Sequence, residues 1–174
     1  MPTMTLLPNG SSTPIDWEVN GESSRHECLD DDNGDTSYVD CNDDGANLDL
    51  TFANPSVAEG DIDTITSVQF TSSGRRSARG RGGSNIDIAF LQPSAGLSET
   101  MNYQGGGSYE TENGTVRTQT PAGADWTYAN LEDLEFRLTK NGDTFVRLSY
   151  FALIVVYVAA VAAVDNATFF GANF

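Results

Sequence analysis

The acidic run DDDNGD, residues 30–35, carries the side chains whose type and spacing best suit metal chemistry. Asp31, Asn33 and Asp35 stand at alternate positions, and carboxylate and amide oxygens in this arrangement are the hard ligands that calcium prefers. The EF-hand pattern is not met, because Thr36 stands where that motif has a glycine and no acid occupies the twelfth position. The run predicts either a calcium site or a solvated acidic turn.

A second candidate site is the arginine-rich segment SSGRRSARGRGG, residues 72–83. It holds half of the arginines of the chain, which are Arg75, Arg76, Arg79 and Arg81. A guanidinium fork binds a carboxylate through two parallel hydrogen bonds. We therefore expect these arginines to contact acids of residues 16–63 on a neighbouring subunit. An exposed loop and a contact with single-stranded nucleic acid are the alternatives, although the segment has no repeated RGG unit.

Aromatic side chains offer a third chemistry, which is the stacking of sugar rings. Tyr103 and Tyr109 lie in the segment MNYQGGGSYE, and Trp126 and Tyr128 follow in the segment ADWTYAN. Aromatic rings combine a flat apolar face with, in Tyr and Trp, a polar group that can hydrogen-bond. The spacing is also typical of core and loop anchors. A glycan contact at Tyr103, Tyr109 and Trp126 is therefore one of two interpretations.

The remaining reactive side chains do not suggest an enzyme. His26 is the one histidine, and it stands two residues from Cys28. Nucleophilic Cys–His pairs normally come from distant parts of a fold. The sequence has no Gly-x-Ser-x-Gly elbow, phosphate loop or dinucleotide fingerprint. We predict a protein without catalytic residues and without a cofactor other than the calcium considered above.

Cys28 and Cys41 flank the acidic run. A disulfide bond between them would close a short loop and stabilise the chain by ~2–3 kcal/mol in the chain-entropy model. The amino terminus has no basic segment followed by a long apolar one, so a Sec-type signal is not expected. A disulfide and two free core thiols are both consistent with the sequence.

Length and composition predict one globular domain with an acidic surface. The chain has 174 residues, 39% of them hydrophobic, and a net charge of −16. This length is enough to bury a substantial core. Residues 16–63 hold 15 of the 25 acids and a single base, Arg25. Such a charge repels nucleic acids and anionic membranes over most of the surface, and we expect neither as a partner.

The pattern of apolar residues favours β-strands that position these side chains. Apolar and polar residues alternate in ANLDLTFANP, IDTITSVQFTSS and SNIDIAFLQP, and Gly, Asn and Pro separate these runs. Asn141-Gly142 is a favoured two-residue hairpin turn. A short helical turn is expected around residues 130–135. The fold class predicted is an all-β, antiparallel sandwich of roughly eight strands.

The stretch LSYFALIVVYVAAVAAV, residues 148–164, contains 17 residues and no charge. A transmembrane helix needs ~20 apolar residues and usually a basic flank. Phe145 to Val158 are rich in β-branched and aromatic residues, with an apolar residue at every even position. We predict a long strand with one face buried throughout and both faces buried towards its end.

The two ends of the chain differ in composition from the middle. Residues 1–15 are rich in Pro, Ser, Thr and Gly, and they are predicted to form an extended arm. Residues 16–158 would form the β-sandwich. Residues 159–174 combine small residues with Phe169, Phe170 and Phe174. This tail is expected to dock on a neighbouring subunit.

The order of these segments resembles a known class of proteins. The segments NGDTSYVDC, SVQFTSSGRRS, WTYANLEDLEF and FVRLSYFALIVVYV, in this order, are similar to the strand pattern of small β-sandwich structural proteins of tailed bacteriophages. The resemblance covers residues 30–158. It implies a jelly-roll sandwich on the surface of a virion, outside the cell.

The resemblance also implies a function and partners. We expect a structural virion protein that self-associates, either as a capsid decoration (cement) protein or as a fibre-forming subunit. Its partners would be further copies of itself, with a trimer as one option, and a major capsid or tail protein. The alternative is a carbohydrate-binding, receptor-binding module of a tail or fibre.

Overall fold

The structure is a computed structural model that describes residues 1–12, 16–76, 84–103 and 107–161. It is dominated by strands, as the alternating sequence pattern predicts. The eleven described strands, β1 to β11, are Thr3–Leu6, Pro8–Ser12, Glu18–Asn20, Tyr38–Cys41, Asn47–Phe52, Ile62–Arg76, Asn85–Gln92, Gly96–Met101, Glu110–Asn113, Glu135–Asn141 and Val146–Ala159. One short helix, α1 (Tyr128–Glu132), and two 3-10 turns, Glu27–Leu29 and Glu59–Asp61, accompany them.

The strands form two antiparallel sheets. The first has the order β3-β4-β11-β6-β9, with β1 pairing with β11 as well, and the second has the order β2-β5-β10-β7-β8. Among the described strands, only β3–β4 and β7–β8 follow each other within one sheet, and the other connections cross between sheets. The prediction of an all-β antiparallel sandwich is confirmed. The number of described strands exceeds the eight expected.

Phenylalanine rings fill the space between the two sheets. Phe136 of the second sheet lies 4.3 Å from Phe90 and 5.9 Å from Phe151, between ring centroids. Phe70 and Phe151 of the first sheet stack with centroids 5.7 Å apart. Aromatic pairs in this distance range stabilise a core beyond the area that they bury. The two sheets therefore share one core.

The amino-terminal segment differs from the extended arm predicted for residues 1–15. β1 pairs with β11 and β2 pairs with β5, so this segment contributes a strand to each sheet. The physical reason is visible in β1, where Met4 and Leu6 point into the core and the two threonines point outwards. The arm prediction relied on Pro, Ser and Gly content and overlooked this alternation.

The long uncharged stretch forms β11, which confirms the predicted strand but not its predicted faces. The prediction placed all even positions on one buried face. The structure has an irregularity in register between Leu148 and Tyr150, and a β-bulge inserts one residue and reverses the alternation. The core side chains beyond the bulge stand at odd positions and are Phe151, Leu153, Val155 and Tyr157.

The outer face of β11 is not fully buried towards its end, in contrast to the prediction. Ile154 and Val156 are half-buried, and Val158 is exposed. The backbone N–H of Ala160 still donates to the carbonyl of Asp61 (2.9 Å). The predicted assembly residues Phe169, Phe170 and Phe174 lie outside the described residues. The described part of the chain contains no helix that is long and apolar enough to cross a membrane.

The one lysine of the chain, Lys140, is the second-last residue of β10. Lys140 is fully buried, and its Nζ donates to the carbonyls of Asn42 (2.9 Å) and Gly142. Gly142 in turn donates its N–H to Asp44 Oδ1 (2.6 Å). Because β10 and β11 belong to different sheets, Asn141-Gly142 is a crossing between sheets. The hairpin prediction at this position is therefore wrong.

Candidate functional site

Three residues that the sequence assigned to three different sites meet at one end of the first sheet. Asp35 was a candidate metal ligand, Arg75 a candidate interface residue and Tyr109 a candidate glycan contact. In the structure, Asp35 Oδ1 accepts hydrogen bonds from Arg75 Nη2 (2.5 Å) and Arg147 Nη1 (3.0 Å). The hydroxyl of Tyr109 lies 3.5 Å from the same oxygen. We call Asp35, Arg75, Tyr109 and Arg147 the Arg–Asp cluster.

Strand pairing sets the geometry of the Arg–Asp cluster. Arg75 near the end of β6 and Arg147 near the start of β11 are direct cross-strand partners, so their side chains leave the sheet on the same face. The guanidinium of Arg75 also lies 5.1 Å from the ring centroid of Tyr109 and donates to the carbonyl of Gly107 (2.7 Å). These contacts hold the guanidinium group of Arg75 in place.

Two further aromatic rings hold Arg147. Its guanidinium carbon lies 4.0 Å from the ring centroid of Tyr38 and 4.8 Å from that of Phe145, which are favourable cation–π distances. Asp40, the partner of Arg147 on β4, approaches its Nε to 3.7 Å. Burial raises the pKa of the Asp40 carboxyl despite the nearby arginine. Burial, followed by the nearby charge of Asp35, raises the pKa of the Tyr109 hydroxyl to about 12.

The calcium site predicted at Asp31, Asn33 and Asp35 stays a prediction, and the contacts of Asp35 do not favour it. No group of three His, Cys, Asp or Glu side chains in the described ranges is arranged to hold a metal ion. Asp35 binds two guanidinium groups instead, and these positive charges oppose a cation at the same oxygen. The alternate spacing of these residues in the sequence did not reveal that Asp35 pairs with guanidinium groups in the folded chain.

The prediction for the arginine-rich segment was a contact with acids of residues 16–63 on a neighbouring subunit. Arg75 does bind an acid of residues 16–63, yet this acid, Asp35, belongs to the same chain. Arg76 is the last residue of β6 and is half-buried. Arg79 and Arg81 lie outside the described residues. The subunit contact predicted for this segment stays a prediction.

Cys28 and Cys41 are free thiols, so the disulfide alternative is wrong for this structure. Both side chains are buried. Cys28 Sγ donates to the carbonyl of Asn20 (3.5 Å), and Cys41 Sγ lies 3.6 Å from that of Asp16. The alternative of two free core thiols is the one that the structure shows.

The three rings predicted to bind a glycan do not form one platform. Tyr103 is 2% exposed and Trp126 is 4% exposed. Tyr103 shares a hydrogen bond with Ser72 Oγ (2.6 Å) in the core. Tyr109 belongs to the Arg–Asp cluster. Burial excludes Tyr103 as a stacking surface and leaves Trp126 only a small accessible area.

Trp126 nevertheless lines a surface groove, which we call the end groove. It has a volume of about 260 Å³. Its lining consists of Glu59, Ile62, Asp63, Thr64, Ile65, Trp126, Thr127 and Tyr128. These residues come from the turn before β6, the first residues of β6, and the start of α1. Apolar and aromatic side chains therefore stand beside carboxylates and hydroxyls in one small concave site.

Hydrogen bonds and ring packing fix the aromatic wall of the end groove. Trp126 Nε1 donates to the carbonyl of Arg117 (3.0 Å), and its ring packs on Phe90 with centroids 6.0 Å apart. The Tyr128 hydroxyl donates to the carbonyl of Val57 (3.2 Å). Thr127 accepts a hydrogen bond from the Asn130 N–H (3.2 Å) and begins α1. The groove is thus largely preformed, as small-molecule sites usually are.

The sequence reasoning missed Arg147 and the acids of the end groove. Arg147 stands in a strand that otherwise reads as apolar, and its charge beside Phe145 was a signal of an outward position. Glu59 and Asp63 were read only as part of a general acidic surface. Their approach to Trp126 depends on the pairing of distant segments, which the sequence pattern does not show.

Comparisons with known proteins gave structural similarities of a limited degree. No protein-family model and no curated protein matches the sequence. Among solved structures, the chain is similar to the CBM35 from Paenibacillus barcinonensis, with a TM-score of 0.42 and 13% identity over 92% of this chain and 100% of the other.

Two other similar structures belong to larger proteins. A truncated AlyQ with CBM32 and alginate lyase domains matches 93% of this chain with a TM-score of 0.40 and 14% identity. The enzymatically active domain of the bacteriophage CBA120 tailspike protein 4 matches 91% of it, with a TM-score of 0.37 and 12% identity. The chain spans 35% and 19% of their lengths. Likenesses of this size carry no argument about ligand or function, and the β-sandwich is assigned from the two sheets of the chain itself.

Proposed function

We propose that this protein is a non-enzymatic carbohydrate-binding module that holds one sugar unit in the end groove. The observation that carries the proposal is the composition of the groove, in which the half-buried Tyr128 stands beside the acids Glu59 and Asp63. Trp126 adds the small part of its ring that remains accessible. A sugar ring has apolar C–H groups that pack on aromatic and aliphatic side chains, and hydroxyl groups that donate to carboxylates. The end groove offers both kinds of partner within one site.

The size of the end groove limits the ligand. Its volume of about 260 Å³ lies just below the ~300 Å³ at which pockets for drug-sized molecules begin. A single sugar unit, or the end of a chain, fits this description better than a long oligosaccharide does. Affinity for one unit would be modest, because a small contact area limits the free energy of binding.

The charge of the end groove limits the ligand further. The two charged side chains in its lining, Glu59 and Asp63, are both acids, and the whole chain carries a net charge of −16. Acidic sugars are repelled from such a site. The proposed ligand is therefore a neutral sugar or one that carries an amino group.

A glycan array followed by calorimetry tests the proposal. The array identifies a neutral or amino sugar that the wild-type chain binds, and titration calorimetry with that sugar compares Asp63→Asn with Asp61→Asn. Asp63 lines the groove, whereas Asp61 is a neighbouring exposed acid that does not. We expect Asp63→Asn to weaken binding about tenfold, since it removes a charged hydrogen-bond acceptor, and Asp61→Asn to bind like the wild type. Equal affinities for both variants would contradict the groove assignment.

A second proposal concerns self-association on a virion surface, with a major capsid or tail protein as a further partner. One observation favours it: the outer face of β11 presents Ile154, Val156 and Val158 with partial exposure, and contiguous apolar surface often marks an interface. In this proposal, the sugar-binding module belongs to a tail or fibre. Light scattering at low and high salt provides the test, and a monomer of 18.6 kDa under all conditions would contradict it.

A further inference from the structure

The Arg–Asp cluster has the properties of an anion-binding site in which Asp35 of the same chain is the bound anion. Arg75 and Arg147 have side chains that are 19% and 22% exposed. Strand pairing and aromatic rings hold both guanidinium groups in place. Their donors converge on one point, which is the position of Asp35 Oδ1. Preformed, partly desolvated donors of this kind bind an anion without first losing much conformational freedom.

The group that occupies this point is the most exposed member of the cluster. The side chain of Asp35 is 60% exposed, and it comes from the acidic run between the first 3-10 turn and β4 rather than from a strand. Ion pairs with one exposed partner are weak in water, because solvent competes with the contact. Asp35 can therefore leave the two arginines at small cost, while the arginines stay in place.

We propose that Arg75, Arg147 and Tyr109 form a carboxylate-binding site, which Asp35 fills in the free protein and which a small carboxylate ligand takes over by displacing it. The incoming carboxylate accepts the same hydrogen bonds that Asp35 accepts. The Tyr109 hydroxyl, 3.5 Å from Asp35 Oδ1, lies near enough to donate to the ligand after a small movement.

The surrounding charges favour a small anion over a large one. The two guanidinium groups carry two positive charges, and Asp40, 3.7 Å from Arg147 Nε, carries one negative charge. Once Asp35 has moved away, these three groups together are positive, whereas the net charge of the whole chain is −16. A polyanion meets repulsion from the rest of the surface. A single carboxylate experiences mainly the two nearby arginines.

This carboxylate site is independent of the end groove. The groove involves the first residues of β6, from Ile62 to Ile65, and Arg75 stands next to the last residue of the same strand. At a rise of about 3.3 Å per residue, the two sites lie roughly 30–40 Å apart along the strand. A failure of the groove assignment therefore leaves the carboxylate site untouched, and the reverse also holds.

Calorimetry with three simple probes tests the carboxylate site. Sodium glucuronate supplies a carboxylate on a sugar ring, sodium acetate a bare carboxylate, and glucose a sugar ring without a carboxylate. Each probe is titrated into the wild-type chain and into Asp35→Asn, which keeps the shape of the side chain but removes its charge. Asp49→Asn serves as the matched control. This substitution also removes a carboxylate that pairs with arginine, because Asp49 accepts two hydrogen bonds from Arg137 (2.7 Å each). It releases one guanidinium group, whereas Asp35→Asn releases two.

We expect Asp35→Asn to bind glucuronate roughly three- to fivefold more tightly than the wild type, because the internal competitor is gone. Adding Arg75→Gln to this variant should weaken binding about tenfold, since one charged donor is lost. Asp49→Asn should behave like the wild type. Any binding of glucose should be equal in the wild type, Asp35→Asn and the variant with Arg75→Gln, because the end groove and not this site would hold it. Acetate binding as tightly as glucuronate would show that the carboxylate alone is recognised.

Two results would overturn the proposal. The first is the absence of carboxylate binding by both the wild type and Asp35→Asn, which would mean that the Arg–Asp cluster only fastens the acidic run to the sheet. The second is binding that Arg75→Gln leaves unchanged. A thermal melt of each variant confirms that it is folded, so that a negative result does not arise from unfolding.

Discussion

Replacing Lys140 by methionine removes the only buried ammonium of the chain while keeping a side chain of similar length. In the structure, Lys140 Nζ donates to the carbonyls of Asn42 (2.9 Å) and Gly142. It thereby joins the turn between β4 and β5 to the crossing between β10 and β11. The variant leaves both carbonyls without their charged donor.

The magnitude follows from two opposing effects. Hydrogen bonds to charged groups contribute about 1.5–3 kcal/mol each, so the loss of two costs about 3–6 kcal/mol. Burying an ammonium is itself costly, and an apolar replacement recovers part of that loss. We expect a net loss of about 3 kcal/mol in the free energy of unfolding. For a chain of this size, the melting temperature then falls by about 6–12 °C.

Urea unfolding followed by tryptophan fluorescence measures this loss. Glu132→Met, an exposed substitution on α1, is the control, and it should change the stability by less than about 0.5 kcal/mol. Acylation provides a second readout, because Lys140 is the only lysine and should react slowly until the chain unfolds. A loss below about 1 kcal/mol for Lys140→Met, or rapid acylation of Lys140 in the folded protein, would refute the reasoning.

Three further predictions follow from buried or crowded positions. Cys28 and Cys41 should react with a thiol reagent only on unfolding, since both are buried. Rapid reaction of both thiols in the folded protein would contradict this. Because burial raises the pKa of Asp40 above its ordinary 3.8, its ionisation costs stability as the pH rises through this range. Asp40→Asn should therefore raise the melting temperature at pH 7 and not at pH 3. Equal shifts of the melting temperature at the two pH values would be inconsistent with this explanation. Gly21→Ala should destabilise more than Gly45→Ala in chemical denaturation. Both glycines have positive φ, but only at Gly21 does an added Cβ meet backbone atoms.

The periodicity of apolar residues predicted much of the fold, because a strand with one buried face alternates apolar and polar residues along the sequence. The alternation in β5, β6 and β7 and the β-rich character of β11 were readable in this way. The bulge near Ser149 was not, since an inserted residue leaves the composition of a strand unchanged while reversing its faces. Composition likewise hid β1, where Met4 and Leu6 were outweighed by their Pro- and Ser-rich surroundings.

The candidate site was predictable only in its parts. Asp35, Arg75 and Tyr109 each drew attention by residue type, yet they were assigned to three different roles. Their meeting depends on the pairing of β6 with β11 and on where the acidic run folds back, and these are contacts between segments far apart in the chain. Sequence spacing reports neighbours within one element and does not report such contacts.

Fluorine NMR of the chain labelled with 5-fluorotryptophan tests the central claim most directly. The chain has two tryptophans: Trp126 lines the end groove, whereas Trp17 is fully buried elsewhere in the core. On titration with the neutral or amino sugar selected by the glycan array, the resonance of Trp126 should shift in a saturable manner while that of Trp17 stays in place. Saturable binding of that sugar with no change at Trp126 would contradict the assignment of the end groove as the carbohydrate site.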